Sequence, residues 1–271
     1  MNGAESRPTS PSASSPAKGR GVAKVTAMSD GGLAPSGVAR RVRSPRRHAE
    51  QPVATPQERT RVVAKNDTFL AKGKRGEVFL RTLRGTTVLV KRRNPSAAVD
   101  TISNEAKHTA LLNEHGVGPR FISYDPVAGE LVREYVEGEE FRKWLPAAVK
   151  KDVLPVLVSV FEQCKVMDDL DVVKEEMTRP WKHIIITNNK KALLIDFERC
   201  RDSSLPKNVT QYCQFLCGTR IGIILKSKEI IINNKKLLSL AKKYKQNIKN
   251  NNRDANATIL RKMIEAVTHG D

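Results

Sequence analysis

The stretch from Lys174 to Cys200 constrains the fold more than any other part of the chain, because it dictates where carboxylates can meet. Ile184 to Thr187 and Ala192 to Ile195 are short aliphatic runs joined by Asn188-Asn189-Lys190-Lys191, a hairpin pattern of turn-forming residues between β-branched strands. A hairpin returns its two ends to one edge. Glu175 or Glu176 ahead of the first run, His183 at its entry and Asp196 at the exit of the second are therefore expected to converge on one rim of a cleft. Such a set suits phosphoryl transfer, in which one carboxylate orients the attacking hydroxyl and another holds a magnesium ion on phosphate oxygens. A carboxylate at a strand end is also a common solvated terminus, so the rest of the chain has to supply the remaining parts.

The 271 residues suffice for one good-sized domain or two small lobes. Their formal net charge of +19 favours an anionic partner such as nucleotide, RNA or anionic lipid. Only 5% of residues are aromatic and no basic run is interleaved with Phe or Tyr, so sequence-specific reading of nucleic acid is not expected. Cys164, Cys200, Cys213 and Cys217 lack zinc spacing and read as buried thiols of a reducing compartment. No run approaches the ~18 apolar residues of a membrane span. Residues 1–65 carry 12 Lys and Arg against 4 Asp and Glu, are rich in Ser, Pro and Ala, and are expected to be disordered. Sparse acids with the Arg40-Arg41-Val42-Arg43 and Arg46-Arg47 clusters look like a plastid or mitochondrial transit peptide. A plain basic tail or a nuclear address fits the same residues, and with it a cytoplasmic or nuclear location.

From Asn66 the texture changes. Phe69 to Leu80, with glycines at 73 and 76, and Thr86-Thr87-Val88-Leu89-Val90-Lys91 predict two antiparallel strands around a glycine-bearing turn, then a third strand ending on lysine. Glycines there would let the backbone approach a polyphosphate and turn its amides toward it. Next comes a helix opened by Ser96, with Ile102, Ala106, Thr109 and Leu112 facing inward and Gly116 at its end; Glu105 beside that stripe is placed to pair with Lys91. A second hairpin ends at Glu134 to Gly138, where backbone groups at a lobe boundary would meet an adenine edge. Trp144 to Met167 has helical spacing with a kink or break at Pro155, Val209 to Leu225 reads as one mostly buried helix, and Ile230 to Ile248 as a basic surface helix.

Over residues 66–215 these parts resemble the protein-kinase-like family in reduced form. Leu70-Ala71-Lys72-Gly73-Lys74-Arg75-Gly76-Glu77-Val78 is similar to its glycine-rich loop, with Ala71 in place of the first glycine. Val88-Leu89-Val90-Lys91 resembles the strand bearing the phosphate-binding lysine, Glu105 the helix glutamate that pairs with it, and Leu131 to Gly138 the hinge. Lys174-Glu175-Glu176-Met177 stands where most members have His-Arg-Asp, and Asp196-Phe197-Glu198 where they have Asp-Phe-Gly. Those departures are similar to a small archaeal-type group of atypical serine/threonine kinases with an Ile-Asp-Phe-Glu metal motif.

The resemblance implies an α+β, two-lobed fold, with residues 66–137 as a small antiparallel-sheet lobe and 138–271 as a reduced, mainly helical one. It also implies an ATP- and magnesium-dependent kinase acting on a protein substrate. Gly73, Gly76, Val78, Lys91, Glu105, Glu134 and Val136 would bind the nucleotide, Glu176 would orient the hydroxyl, Lys182 would contact the transferred phosphoryl group, and Asp196 and His183 would hold metal. The altered motifs leave open a pseudokinase that binds nucleotide as a partner module, and the short second lobe a small-molecule or RNA kinase.

Overall fold

The computed structural model describes residues 67–269 apart from 74 and 95–99. The leader at 1–65, the N-cap expected at Ser96 and Lys74 of the glycine loop lie outside the described residues. Strands β1 (Asp67–Lys72), β2 (Gly76–Leu83), β3 (Thr86–Arg93), β4 (Phe121–Asp125) and β5 (Glu130–Glu134) form one antiparallel sheet in the order β1-β2-β3-β5-β4. Arg84 and Gly85 join β2 to β3 with φ of 49° and 79°, the paired left-handed conformations whose twist matches that of a hairpin. Helix α1 (Ile102–Glu114) packs on this sheet. The Asp100 carboxylate accepts the Ile102 and Ser103 amides at 3.0 and 3.2 Å and so starts the helix. At its far end the Val117 amide reaches back to the Leu112 carbonyl around Gly116, as the sequence predicted for that glycine.

The second half is mostly helical, giving an α+β protein with seven helices among the described residues. After β6 (Gly138–Glu140) come α2 (Phe141–Ala147) and α3 (Lys150–Asp169). The break between these helices falls at Ala148-Val149 and not at Pro155, which sits inside α3. Lys228, from far along the chain, donates to the carbonyls of Pro146 and Ala148 at 2.9 and 2.5 Å and so closes α2. Strand β7 (Val172–Lys174) pairs with β10 (Cys200–Asp202), and β8 (Ile184–Thr187) with β9 (Ala192–Leu194) and β6. The single helix expected over Val209 to Leu225 is two, α4 (Asn208–Leu216) and α5 (Thr219–Lys226), and α6 (Asn234–Lys249) and α7 (Ala255–Thr268) follow.

Phe141, Phe161, Met167, Tyr212, Leu237, Tyr244 and Met263 are fully buried in one core shared by α2, α3, α4, α6 and α7. Phe161 meets Tyr212 edge to face at 4.7 Å, and each such ring is worth about 2–3 kcal/mol of apolar burial. All four cysteines are free thiols. No helix among the described residues is long and apolar enough to cross a membrane.

Candidate functional site

Strand β3 carries Lys91 out of the sheet core, where Val88 and Val90 are buried, onto the wall of an open cleft of about 490 Å³. Gly73, Gly76, Val78, Lys91, Asp196 and Glu198 line it. Helix α1 presents Glu105, 1% exposed, so that the Lys91 ammonium lies 2.5 Å from its carboxylate. From the second half, Asp196 and Glu198 reach the same nitrogen at 3.2 and 3.1 Å. Arg75, between the two loop glycines, adds a 2.7 Å pair with Glu198. Two segments separated by more than a hundred residues thus meet on one ammonium.

The charges balance against one another. Burial works against charge on Lys91, yet Glu105, Asp196 and Glu198 outweigh it and hold the ammonium above its ordinary pKa. Burial pushes the Glu105 carboxyl up against the pull of Lys91. For Asp196 burial also pushes upward, but Lys91 and Lys174 prevail and its pKa falls. Asp196 has φ of 64°, a left-handed conformation that aspartate tolerates better than most residues, and this turns the chain out of β9 toward the cleft.

Phe197, between the two acids, is buried against Gly118: a Cβ at that glycine would stand 2.6 Å from the phenyl ring. Asn104 of α1 donates to the carbonyls of Glu198 and Cys200 at 3.0 and 2.8 Å, tying the same segment to the helix that carries Glu105.

Behind the acids stands a second lysine. Lys174 is fully buried, its ammonium 3.2 Å from Glu176, hydrogen-bonded to the Asp196 carbonyl and 5.4 Å from the Phe197 ring centre. Asn208, at the start of α4, accepts the Lys174 amide at 2.8 Å and donates to the Val172 carbonyl at 2.6 Å. Asp168 in turn accepts from the Asn208 amide and side chain at 2.9 and 2.8 Å. Burial pushes the Asp168 carboxyl up to about 6, against hydrogen bonds from Asn208 and Val209.

The two adjacent glutamates separate cleanly. Glu176 turns inward to Lys174 and to Arg199 at 3.5 Å, while Glu175 turns outward to Arg201 and Lys207 at 2.7 and 3.5 Å. His183 comes close to Asp196, Nδ1 to Oδ2 at 3.7 Å, and that buried nitrogen has no hydrogen-bond partner. Burial and then the charge of Lys174 hold its pKa below the usual imidazole value. Lys182, one residue earlier, is exposed and makes no ion pair among the described residues.

The structure adds detail to three expectations. The Glu134 amide donates to the Arg120 carbonyl at 2.8 Å and its own carbonyl accepts from Arg133 at 3.1 Å, so strand-end bonding already occupies this hinge residue. Val136, just past β5, makes no backbone hydrogen bond among the described residues, and neither do its neighbours Tyr135 and Glu137, so the hinge amides beyond Glu134 are open. Gly76 is not simply a point of approach for a ligand. A Cβ there would lie 2.8 Å from the Arg92 carbonyl oxygen, 3.3 Å from Ile102 Cδ1 and 3.6 Å from Lys91 Cε, whereas at Gly73, among the described residues, it would meet the Gly76 carbonyl oxygen at 3.4 Å. Finally, the carboxylates that gather on one point are Glu105, Asp196 and Glu198, without His183; their oxygens lie within 4.8 Å of one another.

Glu198 and Lys174 were missed from the sequence as functional groups. The alternation Asp-Phe-Glu around one buried phenylalanine was the available signal for Glu198, since residues two apart in extended chain share a face. For Lys174 the only signal was a cation at a strand end beside two acids.

No family model matches the chain. It is similar to the protein called Uncharacterized protein MJ1211 of Methanocaldococcus jannaschii, with 30% identity over 116 residues, 42% of this chain and 98% of the archaeal one.

Proposed function

The chain belongs to one family with that archaeal protein, and from the geometry of the cleft we propose that it is an ATP- and magnesium-dependent phosphotransferase, a reduced protein-kinase-like enzyme acting on serine or threonine. One observation carries this: Lys91, from the sheet, and Asp196, from the helical half, lie 3.2 Å apart in a cleft edged by the glycine loop. That is the pairing a bound triphosphate needs, a cation for its oxygens and a carboxylate for its metal.

The donor set fits magnesium, which prefers carboxylate oxygen. Lys91 occupies the middle of the three carboxylates, so phosphate oxygens arriving with the ion would take over Lys91 and free Asp196 and Glu198 for it. Bound there, magnesium would neutralise charge on the phosphates. Glu105 keeps Lys91 in place throughout, and the open Val136 amide takes the adenine edge. Glu176, held by Lys174, faces the acceptor hydroxyl and receives its proton; the hydroxyl oxygen bonds to the γ-phosphorus as the bond from that phosphorus to the bridging oxygen breaks, leaving ADP and a phosphoester. Lys182 is the exposed cation next to this path, and His183 the imidazole beside Asp196.

Incubation with labelled ATP and magnesium tests the proposal. Wild type is expected to transfer phosphate at about a thousandfold or more over Asp196→Ala, since charge stabilisation supplies most of such catalysis. Equal transfer by the two would sink it.

A second role is favoured by the same ion pairs. Lys174 and Arg199 both hold Glu176, which reduces its availability as a base and suits a module that binds nucleotide without turning it over. Nucleotide-dependent melting with no transfer to any substrate would select this role.

A further inference from the structure

The segment that runs from Glu176 to His183 borders a second concave surface, which shares no lining residue with the Lys91 cleft. Thr178, Arg179, Trp181, Phe215, Gly218 and Arg220 border a pocket of about 440 Å³ between that segment, α4 and the first turn of α5. It is bordered by two guanidinium groups and no carboxylate. Arg179 and Arg220 are both exposed, and neither forms an ion pair among the described residues. Most other arginines near the site are engaged: Arg75 with Glu198, Arg199 with Glu176 and Arg201 with Glu175.

The unpaired arginines are not loosely hung. Arg220 lies with its guanidinium carbon 5.0 Å from the centre of the Trp181 ring, a cation–π contact that fixes where its donors point. Trp181 is itself held by Phe141, stacked at 5.8 Å, and by Phe215, edge to face at 4.9 Å. Arg179 joins the two short turns of the segment, its amide bonded to the Glu176 carbonyl at 2.8 Å, so its position is tied to that of the base. A pre-oriented guanidinium loses little freedom on meeting a carboxylate and binds it through two parallel hydrogen bonds.

We infer that this pocket docks an acidic peptide segment of the acceptor protein, so that carboxylates on Arg179 and Arg220 bring a nearby serine or threonine to Glu176. The inference rests on the phosphotransfer proposal for its acceptor, though not for the docking itself. Three partners crowd the indole, so a nucleobase has no free face to stack on; this favours acidic peptide over RNA. It also disfavours the chain's own basic leader as acceptor, because a lysine- or arginine-rich strand would meet like charge.

Binding can be read without turnover, by fluorescence anisotropy of a labelled peptide in which glutamates flank one serine. Full-length wild type is expected to bind it at least about tenfold more tightly than the same peptide with lysines, and the Arg179→Ala/Arg220→Ala double variant to lose about tenfold or more. Lys242→Ala/Lys243→Ala removes the same charge from the exposed side of α6 and is expected to bind as wild type. Asp196→Ala should bind unchanged, which separates docking from catalysis. Arg179→Glu, at an exposed position, repeats the test should Arg220→Ala lower the melting temperature. If transfer occurs, Arg179→Ala should raise KM for the acidic peptide and leave kcat alone. Docking is overturned if the α6 variant loses as much as the arginine variant, if wild type does not prefer the acidic peptide, or if an RNA oligonucleotide displaces it with the same dependence on Arg179 and Arg220.

Discussion

Two lysines meet Asp196, and their surroundings differ. Lys91 touches its carboxylate and lies on the wall of an open cleft, with Glu105 and Glu198 as further partners. Lys174 touches its backbone carbonyl, is fully buried, and has one carboxylate and one ring for company. Three acids around one ammonium leave negative charge over, which an incoming cation can use while phosphates take the lysine. One acid, one carbonyl and a phenyl face leave nothing to exchange. The first lysine is thus built to change partners and the second to hold a segment in place, although both are cations in contact with the same aspartate.

Paired substitutions would break this comparison if it is wrong. Lys91→Met is expected to lower turnover by about 10²–10³-fold and to abolish the rise in melting temperature with magnesium-ATP, worth about 2.7 kcal/mol in wild type at a hundred times Kd. Glu105, left alone in its buried place, would take up a proton. Lys174→Met is expected to cost about 3 kcal/mol of stability, a fall in melting temperature on the order of 6–12 °C, because Glu176 and the Asp196 carbonyl lose the buried cation that holds them. Calorimetry with and without nucleotide separates the two. Equal nucleotide response in both variants would erase the distinction. The adjacent acids extend it: Glu176→Gln should cut transfer about 10²–10⁴-fold, while Glu175→Gln, whose partners Arg201 and Lys207 are surface groups, should leave it nearly unchanged.

Much of this was legible in the chain, and the rest has identifiable reasons for being hidden. Hairpin spacing and strand-end charge pointed to Lys91, Glu176 and Asp196, and the helical stripe to Glu105, because short-range pattern decides which face and which end a residue occupies. The five-stranded sheet and the glycine stop of α1 were legible for the same reason. Contacts made by chain far away were not. Lys228 closing α2, the split of the helix at Cys217-Gly218, and Asn208 holding the amide of Lys174 depend on which elements become neighbours, and no local period encodes that. In sequence Glu198 is only the departure from Asp-Phe-Gly; the fold shows that it reaches Arg75 and Lys91 at once.

The glycines sharpen the account of Lys91. Its stem passes beside Gly76, so Gly76→Ala would press the new methyl on the Arg92 carbonyl and crowd Ile102 while only touching Lys91, and about 1–3 kcal/mol of overpacking is expected together with weaker nucleotide binding. Gly73→Ala has room beside it and should change stability little. A chemical melt of each variant checks this, and an equal loss in both would mean that the loop acts as one strained unit.

The smallest effect concerns charges that hold the sheet under Lys91 without touching the cleft. Arg81 donates to Asp67 at 2.7 Å and to Glu130 at 2.7 Å, and Arg92 donates to Glu130 at 2.9 Å and pairs with Asp67, which cross-links β1, β2, β3 and β5. The Arg81 hydrogen bond is the main cause that holds the Asp67 carboxyl below its ordinary value of 3.8; burial pushes the other way and the charge of Arg92 adds to the lowering. A depressed carboxylate contributes stability above its unfolded pKa and loses it as pH falls through the folded one. Asp67→Asn should therefore melt lower than wild type at pH 6, by about 1 kcal/mol for so partly solvated a group, and the gap should close on acidification below pH 3.8. Turnover per folded molecule should not change. A gap that persists unchanged below that pH would mean that Asp67 acts by packing, and a lost turnover would mean that the sheet charges and the Lys91 cluster are one network.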